Sequence, residues 1–231
     1  MEPLLTRSSA PTSRRDFFKR ASLGAGVLVS ASALQACDSD GTDSGADVTL
    51  DFSSDTGVLN YAYALEQLEA AFYTQVIASP YSGITADETA VLMSLRDHEV
   101  VHREFFQAAL GTNAIPDLTP NFSSVDFTSR ASVLGTARTF EDLGVGAYNG
   151  AGKYLTSAAN LTLAGKIVSV EARHAAAIRD LLDPRSPAGA GAAGTNIPAV
   201  VTAGADLALA PGTVLSQAQP FITETITVRN A

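Results

Sequence analysis

The chain has 231 residues, 46% of them hydrophobic and 17% charged, with no tryptophan, one cysteine and a formal net charge of −9. A single cysteine allows no disulfide within the chain, and the negative balance argues against nucleic acid and against electrostatic adhesion to anionic lipid. With few aromatics, a core has to rest on Leu, Val, Ala and some Phe and Tyr residues, as in tightly packed bundles.

The first 37 residues read as an address. Ser13-Arg14-Arg15-Asp16-Phe17-Phe18-Lys19 resembles a twin-arginine export motif, and a weakly apolar Ala/Gly/Ser-rich stretch follows from Ala21 to Ala33. That stretch falls short of the roughly 20 strongly apolar residues a membrane span needs. Leu34-Gln35-Ala36-Cys37 resembles a bacterial lipoprotein cleavage site, with Cys37 as the lipidated first residue of the mature chain. Acyl chains of this kind anchor a protein to one leaflet without spanning it. The expectation is an exported, periplasmic or otherwise extracytoplasmic lipoprotein. The alternative is a basic amphipathic start to the folded domain. Residues 1–36 carry five basic and two acidic residues, so their removal leaves 10 basic against 22 acidic and a net charge of −12.

Residues 38–55 are rich in Asp, Ser, Gly and Thr and read as a flexible tether. Within it Val48-Thr49-Leu50-Asp51-Phe52 alternates like a short strand, and Ser53-Ser54-Asp55 offers N-cap residues. A first helix is predicted from about Gly57 to Ala78, stopped by Ser79-Pro80, with Leu59, Leu65, Glu66, Leu68, Phe72, Tyr73 and Val76 facing inward. A second is predicted from Thr85 to Leu110, with Gly111 as its stop. Residues 111–127 carry two prolines and no helical period, which fits a long crossover. Third and fourth helices are predicted over about 129–158 and 161–182, ended by Asp183-Pro184.

One pattern runs twice through these four helices. Glu66 is followed by Tyr73 and then by Glu99-x-x-His102; Glu141 is followed by Tyr148 and then by Glu171-x-x-His174. The Glu-to-Glu gaps of 33 and 30 residues each fit two helices of about 20 residues with a short loop. Two helices then supply one Glu each and two supply a Glu and a His at i, i+3, on one face of the helix. That is the requirement of a di-metal carboxylate site inside a four-helix bundle. Four ionised carboxylates buried together would be costly unless cations or protons neutralise them. The competing reading makes them solvent-facing charges or a protonated, hydrogen-bonded cluster.

The wording around these residues resembles the ferritin-like superfamily and, within it, an exported ferritin-like or desiccation-related branch. The resemblance rests on Leu65-Glu66-Gln67-Leu68-Glu69-Ala70-Ala71-Phe72-Tyr73, Phe140-Glu141-Asp142-Leu143-Gly144-Val145 and Ser169-Val170-Glu171-Ala172-Arg173-His174-Ala175, and covers about residues 56–183. It implies an all-α four-helix bundle with a long crossover between the second and third helices. It also implies Glu66, Glu99, His102, Glu141, Glu171 and His174 as ligands of two iron ions, with manganese as the alternative. Tyr73 and Tyr148, each two turns from a glutamate on the same stripe, would hydrogen-bond a ligand carboxylate of the opposite half, carry a transient radical, or pack as core aromatics. Glu69, one turn after Glu66, is open between auxiliary ligand, outer partner and helix-surface charge. Gly144 and Gly146 leave open whether helices approach closely there or a path to the metals runs past them.

His98-Glu99-Val100-Val101-His102 also matches a zinc-protease pattern, which would leave Glu66, Glu141, Glu171 and both tyrosines without a role. His98 is therefore expected to flank the site as an outer partner.

Residues 184–231 form a tail that is Gly-, Ala- and Pro-rich to residue 210 and ends in the strand-like Phe221–Val228. Too short to stand alone, the two strand-like segments are expected to pair and tie the tail to the start of the first helix. The expected partners are metal ions and, through the lipid, a membrane; a homodimer stays open. Carboxylate-rich sites with one imidazole per metal suit oxygen-reactive ions. Ferrous oxidation, consumption of oxygen or peroxide in stress protection, and a non-enzymatic metal-binding or structural module are all compatible with the motif. The catalytic residues, if any, are not designated by it.

Overall fold

The computed structural model describes residues 47–184, 201–202 and 205–231. The export-like segment, Cys37 and the tether up to residue 46 lie outside the described residues, as do residues 185–200 of the tail.

The described chain starts with a short strand, β1 (Val48–Asp51), and then forms four long helices: α1 (Asp55–Ala78), α2 (Ala86–Leu110), α3 (Arg130–Ala151) and α4 (Ala158–Leu182). Each begins where a side chain can satisfy a free helical N–H: Ser54 accepts from Gly57, Ser129 from Ser132 and Ser157 from Asn160. Thr85 and Glu88 form a reciprocal capping box at α2. The helices pack as two hairpins, α1 with α2 and α3 with α4, and the hairpins meet mainly through α1 and α3. This is the all-α bundle the ligand spacing called for. Among the described residues no helix is long and apolar enough to cross a membrane.

The junction between α3 and α4 departs from expectation. The third helix stops at Ala151, passes through a 3-10 turn at Gly152–Tyr154, and α4 starts three residues early. The cause is distant in sequence. The Asp55 carboxylate accepts from the Thr156 amide and hydroxyl, the Ser157 amide and the Asn160 side chain at 2.7 to 3.1 Å. These bonds hold residues 155–157 in a loop and free Ser157 to cap α4.

Helix α1 is buried on nearly every side, which is the environment of a helix that is apolar all round. Its outer face lies under the crossover between α2 and α3. Asn60 bonds the Asn113 carbonyl at 2.8 Å and the Ile115 amide at 2.8 Å, and Gln67 accepts from the Leu118 amide at 2.7 Å. Two side-chain amides seven residues apart on one face thus pin a crossover whose regular structure is a single 3-10 turn at Gly111–Asn113.

The tail closes the fold. A small antiparallel pair, β2 (Val201–Thr202) and β3 (Ala205–Asp206), precedes a helix that the sequence reading did not foresee, α5 (Pro211–Ala218). Its signal was Pro211 at the first helical position, followed by Val214, Leu215 and Ala218, all buried. The last strand, β4 (Ile226–Arg229), pairs with β1 in parallel, Val48 opposite Ile226 through Asp51 opposite Arg229. The expected pairing of chain start and tail therefore forms, with Leu50 and Phe52 built into the core. The strand itself begins later than Phe221, because Gln219–Phe221 form a 3-10 turn and the next residues bond the crossover at Thr119 and Pro120.

Close backbone approaches need glycine at two places. A Cβ on Gly57 would fall 1.7 Å from the Asp51 carbonyl oxygen, and one on Gly150 would fall 1.7 Å from that of Leu209. The second contact, with a Leu209 N–H to Gly146 carbonyl bond of 2.9 Å, lashes the tail along α3. Gly135, by contrast, has open space where its Cβ would be. Gly57→Ala should lower unfolding stability by on the order of 3 kcal/mol, whereas Gly135→Ala should raise it by about 0.4–1 kcal/mol through helix propensity and unfolded-state entropy. Denaturant unfolding of the two variants side by side checks both signs.

Candidate metal centre

All four bundle helices deliver carboxylates to one buried layer. Helix α1 contributes Glu66, α2 Glu99 and His102, α3 Glu141, and α4 Glu171 and His174; the four glutamates are fully buried. Each lies on the inward stripe of its helix, so the same packing that buries Leu65, Leu92, Phe140 and Ile178 carries the charges inside.

Two nests result. His102 Nδ1 faces Glu171 Oε1 at 3.1 Å, Glu66 Oε2 at 3.3 Å and Glu99 Oε2 at 3.4 Å. His174 Nδ1 faces Glu99 Oε1 at 2.7 Å, Glu141 Oε2 at 3.5 Å and Glu171 Oε2 at 3.9 Å. Glu99 and Glu171 therefore turn one oxygen to each nest, while Glu66 with His102 and Glu141 with His174 belong to one each. In both nests the candidate donor atoms lie within 4.8 Å of one another. Neighbouring donors on an ion bound at about 2.1 Å stand roughly 3 Å apart in octahedral geometry, and the imidazole-to-carboxylate distances of 2.7 to 3.9 Å bracket that value.

The hydrogen bonding fits a cation better than a self-contained network. An imidazole nitrogen carries one proton and gives it to one acceptor, yet each Nδ1 here meets three carboxylate oxygens. Both Nδ1 atoms, both oxygens of Glu99 and of Glu171, and the inner oxygens of Glu66 and Glu141 are buried and meet one another in ion-pair contacts without a well-directed hydrogen bond. Such atoms are rare in folded proteins and call for an explanation. The outward oxygens are satisfied. Tyr73 donates to Glu141 Oε1 at 2.5 Å, and Tyr148 donates to Glu66 Oε1. Each tyrosine thus reaches the carboxylate of the other half, and burial followed by the glutamate's charge holds each phenol far above its ordinary pKa. Both remain donors.

His98 is not in either nest. Its Nδ1 lies 2.8 Å from His174 Nε2, so it holds the far nitrogen of that ring, the relation usual for an outer partner that fixes a ligand's tautomer. This corrects the zinc-protease alternative: His98 and His102 do not converge on one point, and Glu66 faces the cluster.

Two groups beside the site needed the structure to place them. Glu69 is only 4% exposed, which removes the helix-surface alternative and leaves the other two. Gly144 makes room for it, since a Cβ there would sit 3.3 Å from Glu69 Oε1 and 3.4 Å from Glu171 Oε2. Asp142 and Arg179 form a buried ion pair at 2.5 Å that ties α3 to α4 beside the site; five residues separate Arg179 from His174, and nothing in that spacing marks a partner on another helix.

A helical bundle with a buried Glu/His cluster able to hold a metal ion defines the class of protein. The family model of the ferritin-like domain matches residues 54–184, and the chain belongs to that family. A search of curated proteins finds no match to the chain.

Without a cation the cluster has to carry protons. Burial raises Glu66 from 4.5 to about 7, against the pull of His102; burial also raises Glu141, Glu171 and Glu69, the last two well above the usual range. Burial would raise Glu99 too, but His102 and His174 bring it down to about 2. Burial would lower both imidazoles, yet the surrounding carboxylates lift His102 to about 12 and His174 to about 10. The sign for Glu66 follows from its raised value. The folded state holds the proton more tightly than the unfolded state, so its contribution is full below 4.5 and is lost as pH rises through about 7. Metal-free protein should therefore melt at falling temperature as pH is raised across this window. Added metal should restore stability and release protons. Melting curves with and without metal, and proton release in an unbuffered titration, measure both; a flat metal-free profile would show that the cluster carries no such protons.

Proposed function

We infer that the protein is an exported, lipid-anchored di-metal carboxylate protein, with iron as the favoured metal and manganese as the alternative. The observation that carries this reading is the pair of nests sharing Glu99 and Glu171. Glu66, Glu99, His102 and Glu171 would hold one ion, and Glu99, Glu141, Glu171 and His174 the other. Bound as a pair, iron supplies one-electron steps that combine into two-electron chemistry with oxygen or peroxide. Oxidation of ferrous ions with consumption of oxygen or peroxide, in protection of the cell envelope, is the activity best matched to such a site.

The chain's own groups have defined tasks in this reading. Tyr73 and Tyr148 fix Glu141 and Glu66 by their outer oxygens and leave the inner ones free to bind. His98 orients His174. The apolar residues of the same stripes exclude bulk water from the charges, which strengthens every interaction among them. Location follows from the Ser13–Lys19 and Leu34–Cys37 segments, and twin-arginine export of a folded chain is compatible with a site filled before export. The net negative charge of the mature chain favours cations near its surface.

Metal analysis after anaerobic loading should find two ions per chain. Glu171→Ala removes a ligand from both nests and should cut the content to one or none, whereas Tyr73→Phe should leave it unchanged. Oxygen-electrode measurement on the ferrous-loaded protein then separates an oxidase from a metal-binding module without turnover. Less than one metal per chain in the wild type, or normal binding by Glu171→Ala, would refute the assignment.

A further inference from the structure

One helical turn from the metal layer, towards the β1–β4 end, the four helices leave a cavity of about 40 Å³. Its walls include Ala62, Phe106 and Ile167, which stand four residues, and so about one turn, from Glu66, His102 and Glu171. The fourth helix of the set presents Tyr148, whose ring is part of the wall while its hydroxyl bonds Glu66. Tyr148 thus touches the cavity with its ring and the carboxylate cluster with its hydroxyl. At the rim, Phe105 and Leu163 are each 37% exposed, and α2 and α4 touch only sparsely.

The volume has room for a few small molecules, since one water-sized sphere takes about 10–15 Å³ by the same measure. The lining decides which. It is overwhelmingly apolar; the Tyr148 hydroxyl is engaged by Glu66, and among its tyrosines only Tyr61 has a hydroxyl without a partner. A stable buried water needs two to four polar partners, and hydrogen peroxide or a hydrated ferrous ion needs at least as many. An apolar diatomic needs none. Of the reactants considered for this centre, dioxygen alone matches the lining.

Resting on the metal reading above, we propose that this slot delivers dioxygen to the metal centre past Tyr148, which makes dioxygen rather than hydrogen peroxide the oxidant that the site is built to receive. In balance, one dioxygen takes two electrons from two ferrous ions and two protons from solvent, and leaves as hydrogen peroxide. Peroxide as oxidant would instead take two electrons and two protons to become two waters, and would enter by a polar route that bypasses the slot.

Two measurements test this on the full chain. Crystals under xenon pressure should show the gas between Phe106, Tyr148 and Ile167, with or without metal. Ala164→Phe places a ring at a half-buried wall position. It should slow ferrous oxidation by dioxygen severalfold, leave oxidation by hydrogen peroxide unchanged, and leave iron content at the wild-type level. Iron bound normally with no xenon in the slot overturns the slot alone. An unchanged dioxygen rate in Ala164→Phe, or equal slowing with both oxidants, does the same. A wild-type chain that binds no iron overturns the metal reading and this inference with it, whatever xenon does.

Discussion

Five glutamates of one cluster sit inside a bundle whose core is mainly aliphatic and aromatic, and their neutralisation is the condition on which the rest of the structure depends. Glu66, Glu99, Glu141 and Glu171 are fully buried and Glu69 nearly so. Removing an ion from water costs several kcal/mol even after relaxation. Two imidazolium groups supply two positive charges at most. The remainder has to come from protons or from metal ions, and the two states compete for the same oxygens. A site of this kind would be stable in two forms, protonated and metal-bound, and the ionised empty form is the one that burial opposes.

The surrounding groups are placed so that this competition stays open. Tyr73 and Tyr148 bond only the outward oxygens of Glu141 and Glu66, which fixes the carboxylate planes without using the inner lone pairs. Because each tyrosine belongs to one hairpin and its glutamate to the other, the two bonds also brace α1 against α3. The Asp142–Arg179 pair does the same for α3 against α4, so geometry at the nests is tied to bundle packing. Outside the bundle, the β1–β4 ladder and the tail lashed along α3 close the end of the bundle at which the apolar slot lies.

The doubled pattern was legible because it is local arithmetic. An i, i+3 pair on an apolar stripe must point where its neighbours point, and Glu66, Glu99, His102, Glu141, Glu171 and His174 do meet in one layer. Helices α1 and α2 start and stop within two residues of their expected ends, since Ser54, Thr85 and Gly111 act on their own segments. What failed to be legible was set at a distance. The break after Ala151 depends on Asp55, some hundred residues earlier in sequence. The crossover is held by Asn60 and Gln67, polar residues that look like exposed ones until a loop is laid over them. Glu69 could be placed only with Gly144 in view. Helix α5 is the exception, because Pro211 and the Val214, Leu215, Ala218 face were present to be read.

The departures from twofold symmetry carry the last step. Advancing three residues from Glu66 and Glu141 gives Glu69 in one half and Gly144 in the other. These are symmetry mates in the repeat and neighbours in space, the absent Cβ of one leaving room for the carboxylate of the other. Stepping back one residue from Glu99 and Glu171 gives His98 and Val170. Only the first half has an imidazole there, and it serves His174 of the second half. A repeat that kept its six inner residues has thus diverged at both positions next to them. The nest of His174 has an oriented imidazole, whereas the nest of His102 has no counterpart from Val170, an aliphatic side chain with no donor to offer. Glu69, raised by burial and then by Glu171, Glu99, Glu141 and Glu66, adds a fifth carboxyl that has no mate in the second half. The two imidazoles consequently have unequal surroundings, so two ions held there would differ in affinity and in ease of oxidation despite identical ligand types.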